Sequence, residues 1–338
     1  MSLRYRIYGL HLSSALAIPG LNALPDGVSR PDLLVQFGSP PQWVGDALQL
    51  PAVVLHSLPA CEETHDPAFV LTSLGEGEFF HLAYSDGTRF VVNAAATRIW
   101  GAQGQGQTME DLSTYFLGPG MGFILRRRGI TALHASALCL DGKAIVLTGE
   151  AGAGKSTSAA ALALRGLPVL CEDIAALQQQ DGGFFVEAGY PRVCLWPESV
   201  AMLLGQPEAL PRIAPNWEKC YLPLNDTMAR HEAQKRPLAA IYILAARESH
   251  RAPRVEEVSS RQVLVDLVQN TYMNWVLDRQ QRAEEFELLS RLVPQIPVRR
   301  IVAHRDPARI GSLCELILDD AKLALAGRRS LAATAAAL

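Results

Sequence analysis

The stretch LTGEAGAGKSTSAAALALRG, residues 147–166, decides the fold. Gly149, four further residues, Gly154, Lys155 and Ser156 satisfy G-x-x-x-x-G-K-[ST], the pattern of a loop that grips phosphate. Its flanks agree with that pattern. KAIVLTG before it is a short β-branched run and predicts a strand. STSAAALALRG after it is rich in Ala and Leu and predicts a helix, closed by Gly166 at a C-cap position. Between them, Gly149, Glu150, Ala151, Gly152, Ala153 and Gly154 can turn successive backbone N–H groups around phosphate oxygens. The helix N-terminus at Lys155, Ser156 and Thr157 adds a favourable dipole. In this pattern Lys155 reaches the β- and γ-phosphates and the Ser156 hydroxyl ligates Mg²⁺.

Composition bounds what surrounds the loop. The chain has 338 residues, 49% hydrophobic and 19% charged, enough for two domains with their own cores. The net charge of −3 provides no basic field, so nucleic acid is not an expected partner. No apolar run reaches membrane-spanning length, and no membrane partner is expected. Cys61, Cys139, Cys171, Cys194, Cys220 and Cys314 form no C-x-x-C pair. Several sit in apolar runs, which predicts buried free thiols and fits a reducing cytoplasm. At the start, Leu3, Tyr5 and Ile7 alternate with Arg4 and Arg6, a strand pattern and not a signal peptide. SLAATAAAL at the end predicts a frayed helical tail.

The chain divides near residue 128. Residues 1–128 read as a β-rich module. LRYRIYGLHL and DLLVQFG predict strands, and FFHLAY-SDG-TRFVVN predicts a hairpin around Asp86-Gly87. TMEDLSTYF opens a helix with Thr108 as N-cap and Asp111 three residues on, close to a capping box. Gly118-Pro119-Gly120 is expected to interrupt that helix before MGFILRRRG resumes it. Arg126, Arg127 and Arg128 read either as cations compensating a helix C-terminus or as a contact to phosphate or an acidic peptide. Residues 129–338 read as α/β. ITALHASALCL, DGKAIVLTG, LPVLCED, the IAALQQQ-DGG-FFVEA hairpin, RVCLW, PLAAIYILAA and PVRRIVAH predict strands. SSRQVLVDLVQNTYMNWVL, DRQQRAEEFELLSRLV and DPARIGSLCELILDDAKLALA predict helices, the last with Pro307 near its first position. The expected fold class is α/β, a catalytic domain of helices on a sheet preceded by a smaller β-rich domain.

Phosphoryl transfer also needs a metal-linked acid and a group that deprotonates or orients the nucleophile. LPVLCED ends an apolar strand with Glu172 and Asp173, one helix after the loop. In a sheet the two strand ends can meet at the phosphates. At a turn, neighbouring acids can serve different faces.

With these residues in view, the sequence resembles a family. HAS-A, DGKAIVLTGEAGAGKST, the acidic pair after RGLPVL and then GYPRVCLWPE are similar to the HPr kinase/phosphorylase catalytic domain. They are more similar still to the stand-alone HPr kinase-like proteins of lasso-peptide and related ribosomal-peptide maturation clusters. The resemblance is strongest over 130–200 and extends to about 325. The opening YRIYGLHLSS and the junction FLGPGMGFILRRRGITALHAS also resemble the stand-alone group, whose N-terminal module would handle substrate. The resemblance implies a bacterial, cytoplasmic serine kinase that uses ATP and Mg²⁺, with a precursor peptide as partner. Lys155 and Ser156 match the family loop. Glu172 stands where the family has the first Asp of a pair, the base for the substrate Ser. Asp173 stands at the second, Mg-linked position, so Ser156 and Asp173 form the implied metal pair. Glu for Asp keeps the carboxylate and lengthens the arm by one methylene. His134 matches a strand-end histidine that pairs with an acid or approaches the γ-phosphate. Arg192 would contact phosphate, and Lys219 matches a basic position of the stand-alone group. His304 reads as a loop residue.

Three further functions remain open beside the peptide kinase: an HPr kinase/phosphorylase proper, a small-molecule kinase, and a nucleotide-sensing module without catalysis. The N-terminus of the stand-alone kind argues against the first. The retained Glu172 and Asp173 argue against the last, since binding alone needs no base. The sequence leaves the oligomeric state open.

Overall fold

A computed structural model describes residues 2–25, 30–59 and 67–336, with the side chains of the last helix described as far as Ala326. Cys61 and the final two residues of the Ala-rich tail lie outside the described residues. The chain forms two compact units. The first is Met1–Arg128 together with Arg212–Trp217; the second is Gly129–Pro211 and Glu218–Leu338.

In the first unit, LRYRIYGLHL is a hairpin and not a single strand. β1 (Leu3–Ile7) pairs antiparallel with β2 (Leu10–Ser14). Tyr8 and Gly9 both take positive φ, 52° and 77°, which gives the two-residue turn that matches strand twist. There follow β3 (Leu33–Phe37), α1 (Gln42–Ala47), β4 (Ala52–Ser57), β5 (Phe69–Leu74), β6 (Phe79–Tyr84), β7 (Arg89–Asn93) and β8 (Arg98–Ala102). Among the described residues the strands form an eight-stranded sheet in the order β1-β2-β3-β8-β7-β6-β5-β4. The Asp86 carboxylate accepts from the Thr88 N–H at 2.8 Å and so fixes the β6–β7 turn.

Helix α2 (Met109–Tyr115) starts at a full capping box. The Thr108 hydroxyl accepts from the Asp111 N–H, and the Asp111 carboxylate accepts from the Thr108 N–H. Gly118-Pro119-Gly120 does not interrupt the helix. The chain passes through a π turn, Phe116–Gly120, directly into α3 (Met121–Arg127). A π turn lengthens the hydrogen-bond repeat by one residue, which absorbs the missing Pro119 N–H without ending the helix.

The arginine run that follows belongs to the packing of this unit. Arg126 is 1% exposed. The Arg127 guanidinium lies 4.4 Å from the centre of the Phe80 ring. Arg128 donates to the Asp32 and Ala96 carbonyls. The three side chains therefore do not form an exposed basic patch, which corrects the reading of the run as a phosphate or peptide contact. Residues Arg212–Trp217 also pack in this unit: Asn216 donates to the Asp111 carboxylate at 2.9 Å, and Trp217 meets Tyr115 edge-on at 5.3 Å.

The second unit is mixed α/β. Its elements are β9 (Ala132–Leu140), β10 (Lys143–Gly149), α4 (Lys155–Ala163), β11 (Val169–Cys171), β12 (Ile174–Gln180), β13 (Gly183–Val186), β14 (Arg192–Leu195), α5 (Pro197–Leu204), β15 (Cys220–Pro223), β16 (Arg236–Leu244), β17 (Arg254–Glu256), α6 (Ser260–Gln269), α7 (Arg279–Leu292), β18 (Val298–Val302) and α8 (Ile310–Ala336). Strand β10 lies between β9, antiparallel, and β16, parallel, and β16 continues in parallel to β18. Strands buried on both faces read as continuous apolar runs, as β10 and β16 do. The Ala-rich face of α4 and Leu313, Cys314, Ile317 and Ala321 of α8 cover them in one core. Alanines let α4 approach the sheet closely, which holds the loop at its N-terminus against the end of β10. Cys139, Cys171, Cys194, Cys220 and Cys314 are free thiols.

The helix expected over SSRQVLVDLVQNTYMNWVL stops at Gln269. The Asn270 side chain donates to the Asp266 carbonyl, and Thr271 and Tyr272 leave the helix to pair with the start of β9. Tertiary pairing overrides helical periodicity here, and it brings Tyr272 to the site. Among the described residues, no helix is long and apolar enough to cross a membrane.

Candidate functional site

The site is built at one end of the second unit's sheet, and the loop of residues 149–157 forms its floor. Gly149, Gly152 and Gly154 take positive φ values of 143°, 78° and 99°. A Cβ at Gly149 would sit 2.6 Å from the Leu244 carbonyl oxygen on β16, so the close approach of these two strand ends requires glycine there. Glu150, Ala151 and Gly152 are exposed, Ala153 and Gly154 half-buried. The Lys155 side chain is 7% exposed and folds across the loop, donating to the Gly149 and Glu150 carbonyls at 2.8 and 3.0 Å. Burial pulls its pKa down; the Asp173 and Glu172 charges partly restore it. Thr157 points away from these groups, its hydroxyl 2.9 Å from that of Ser199.

Glu172 and Asp173 occupy the turn between β11 and β12. Asp173 has a φ of 67°, and the Ile174 N–H bonds back to the Glu172 carbonyl at 2.8 Å. Asp is one of the few non-glycine types that adopt this region readily, and here it makes the tight turn possible. The turn sends the two carboxylates to different partners. Glu172 Oε1 accepts from the Ser156 hydroxyl at 2.7 Å, and Oε2 accepts from the Tyr190 hydroxyl at 3.3 Å. Asp173 Oδ1 lies 3.2 Å from His134 Nδ1, and Oδ2 accepts from the Tyr272 hydroxyl at 3.2 Å.

His134 Nδ1 is also 3.1 Å from the Asp173 carbonyl oxygen. Both neighbours of Nδ1 are acceptors, so this nitrogen is the one that donates. The ring stands at the edge of a broad cleft of about 1020 Å³ that also exposes the front of the loop, Tyr272 and Trp275.

The electrostatics separate the two acids. Glu172 is 5% exposed. Burial, then the Asp173 charge, pushes its pKa above the usual carboxylate range, against the pull of the Ser156 hydrogen bond and Lys219. For Asp173, burial also opposes ionisation, but the His134 contact, Lys219 and the Tyr272 hydroxyl outweigh it and hold its pKa below the usual range. Arg192, at the start of β14, is 6% exposed and lies 5.2 Å from the Tyr190 ring centre. Its buried Nε has no hydrogen-bond partner among the described residues. Lys219 sits over the Trp196 ring at 5.0 Å and adds positive charge to both carboxylates.

The structure thus brings Lys155, Ser156, Glu172, Asp173 and His134 together, with Arg192 and Lys219 beside them. Thr157 and His304 stand apart. Both His304 ring nitrogens are tied to backbone, Nε2 to the Ser249 carbonyl and Nδ1 to the Asp306 N–H. Tyr190 and Tyr272 complete the site, and neither is marked by a motif of its own. Tyr190 lies inside the GYPR motif and was within reach of sequence reading. Tyr272 is 99 residues from the acid it touches, with no local pattern to mark it.

A divalent cation fits these residues. The Ser156 hydroxyl and the Glu172 carboxylate are hard oxygen donors side by side, and the buried Glu172 charge is under-compensated. Among the described residues no group of three or more His, Cys, Asp or Glu could hold a metal.

No family model matches this chain, and no curated protein does. Among solved structures it is similar to the Hpr(Ser) kinase/phosphatase from Coxiella burnetii. The identity is 16%, over 60% of this chain and 97% of that one, with a TM-score of 0.29.

Proposed function

We propose that this protein is an ATP- and Mg²⁺-dependent kinase that transfers the γ-phosphate to a serine hydroxyl of a ribosomally made precursor peptide of the lasso type. The observation that carries the phosphotransfer part is the bond from Ser156 to Glu172 beneath Lys155, with the Asp173–His134 pair one residue away. A module that only bound nucleotide would have no use for that second pair. The serine and peptide parts rest on the sequence resemblance, and the breadth of the cleft beside His134 suits a peptide acceptor.

In this reading the loop N–H groups and Lys155 hold the β- and γ-phosphates. Ser156 and Glu172 would hold Mg²⁺, which when bound offsets phosphate charge. The Ser156–Glu172 bond favours Glu172 as the metal-linked acid, the reverse of the order the resemblance implies. The Asp173 carboxylate fixes His134 with Nδ1 protonated, and Nε2 accepts the proton of the incoming serine hydroxyl. The serine oxygen forms its bond to the γ-phosphorus as the bond to the β-phosphate oxygen breaks, and the electron pair leaves with ADP. Arg192, with an unused buried donor, and Lys219 stabilise the charge on the phosphoryl oxygens.

The test is incubation of the protein with Mg-ATP and precursor peptides encoded beside its gene, read by mass for added phosphate on serine. Transfer to HPr, or to a small hydroxylated metabolite but no peptide, would replace the acceptor and keep the chemistry. Tight Mg-ATP binding with no transfer to any acceptor would leave a sensing module.

A further inference from the structure

Two hollows adjoin the loop, and they differ in size and in what they contain. The broad cleft holds His134. The second is a small cavity of about 190 Å³ between the first turn of α4, α5 and the start of α8. It touches Gly154, Thr157 and Ser158 but not His134, while Glu172 and Asp173 line neither hollow. Arg247 lies in the wall common to both, where it donates to the Ala153 carbonyl at 3.3 Å.

We infer that the small cavity receives the base of the nucleoside triphosphate, while the broad cleft is left to the acceptor. This rests on the reading of the loop given above. The argument is one of direction. Phosphoryl transfer places the attacking and leaving oxygens roughly in line across the phosphorus. The acceptor and the nucleoside diphosphate must therefore lie on opposite sides of the γ-phosphate. The proton acceptor His134 marks the cleft as the acceptor side. The donor's diphosphate then runs over Lys155 towards Thr157, and the opening beyond it is the small cavity.

Its dimensions and lining agree. Pockets for drug-sized ligands span roughly 300–1,000 Å³. At about 190 Å³ the cavity holds one flat ring system and not a peptide segment; the cleft, at about 1020 Å³, is wide enough for a chain. Met202, Ala303, Ile310 and Leu313 give it apolar walls, and the Thr157–Ser199 hydroxyl pair offers a donor and an acceptor. Apolar faces with a few placed polar groups are what a base requires. His304, fixed through both ring nitrogens, is a rigid part of the wall.

The test uses the full chain and two ligands, Mg-ATP and Mg-tripolyphosphate, the second having phosphates but no base. Met202→Trp and Ser199→Phe each fill the cavity from a half-buried position, and circular dichroism checks their fold. Calorimetry should show ATP affinity at least ~10-fold weaker in a folded variant, a loss of about 1.4 kcal/mol, with tripolyphosphate affinity unchanged. ATP affinity equal to wild type in both variants would overturn the assignment. So would a parallel loss for both ligands, which would mean that the fillings disturb the loop itself. If the wild-type protein binds neither ligand, the nucleotide reading of the loop fails first and the cavity assignment falls with it.

Discussion

Ser156 donates its hydroxyl proton to Glu172 at 2.7 Å, while the adjacent Asp173 is engaged by His134 and Tyr272. One tight turn thus delivers two neighbouring carboxylates to two different tasks. Removing either should produce a distinct defect. Glu172→Gln should lose the Mg²⁺-dependent part of ATP affinity. Asp173→Asn should bind Mg-ATP almost as wild type, because Asn tolerates the left-handed backbone at 173, and should transfer phosphate about 100-fold more slowly or worse. Calorimetry with and without Mg²⁺, paired with a transfer assay, distinguishes them. The opposite pattern would return the role of base to Glu172.

Lys155 is both buried and bonded to the loop it serves. Lys155→Met removes two hydrogen bonds but also an ammonium that burial disfavours. These effects oppose each other, so stability should stay within about 1 kcal/mol of wild type by urea unfolding. Phosphate transfer should vanish. Full activity in the folded variant would remove the kinase reading altogether.

The two acids should show opposite pH signatures in stability. The folded-state pKa of Glu172 is raised, so its contribution is favourable below its unfolded value of about 4.3 and is lost as pH rises through the folded value. Glu172→Gln should therefore be more stable than wild type at pH 8, by about 1 kcal/mol, with the gain fading towards pH 4. The pKa of Asp173 is lowered, so its contribution is present above about 3.9 and is lost as pH falls through the folded value. Asp173→Asn should be less stable than wild type at neutral pH, by about 1 kcal/mol, and should converge with it in acid. Urea unfolding from pH 8 down to pH 2 reads both, the Glu172 change in the upper part of that range and the Asp173 change below about pH 4; gains or losses independent of pH over the whole range would refute the electrostatic account.

The loop glycines should not be equivalent. Gly152 has φ of 78° and open space around it, so Gly152→Ala carries only the cost of the left-handed backbone, about 1 kcal/mol. At Gly149 the added Cβ also meets the Leu244 carbonyl at 2.6 Å. Gly149→Ala should cost more than about 2 kcal/mol and weaken the β10–β16 end. Thermal melts of the two variants give the comparison, and equal losses would rule out the strand contact as the cause.

Legibility in the sequence followed locality. The strand, loop and helix of residues 143–163 were readable because every contact that shapes them is near in sequence: the β-branched run, the three glycines and the alanines. The Asp86-Gly87 turn and the Thr108–Asp111 cap were readable for the same reason. The single strand expected from LRYRIYGLHL became a hairpin because Tyr8 accepts a positive φ, which propensity does not foresee. The expected break at Pro119 became a π turn, since the segment is buried on both sides of it and the longer repeat accommodates the missing N–H. Of the two readings of the arginine run, the helix C-terminus held and the phosphate or peptide contact did not, because charge in a sequence says nothing of burial.

The sequence by itself determined that residues 149–157 form one cradle and that an acidic pair ends the next strand. Only the tertiary structure decided which acid faces Ser156, because the choice depends on the backbone turn at Asp173 and on Tyr190 approaching from β14's side. It alone brought Tyr272 from the end of α6 to Asp173, and placed Lys219 over Trp196 where its charge acts on both acids. Those meetings come from strand pairing across long separations, where the hydrogen-bonding partner of each backbone group is set by the whole sheet and not by its neighbours in the chain.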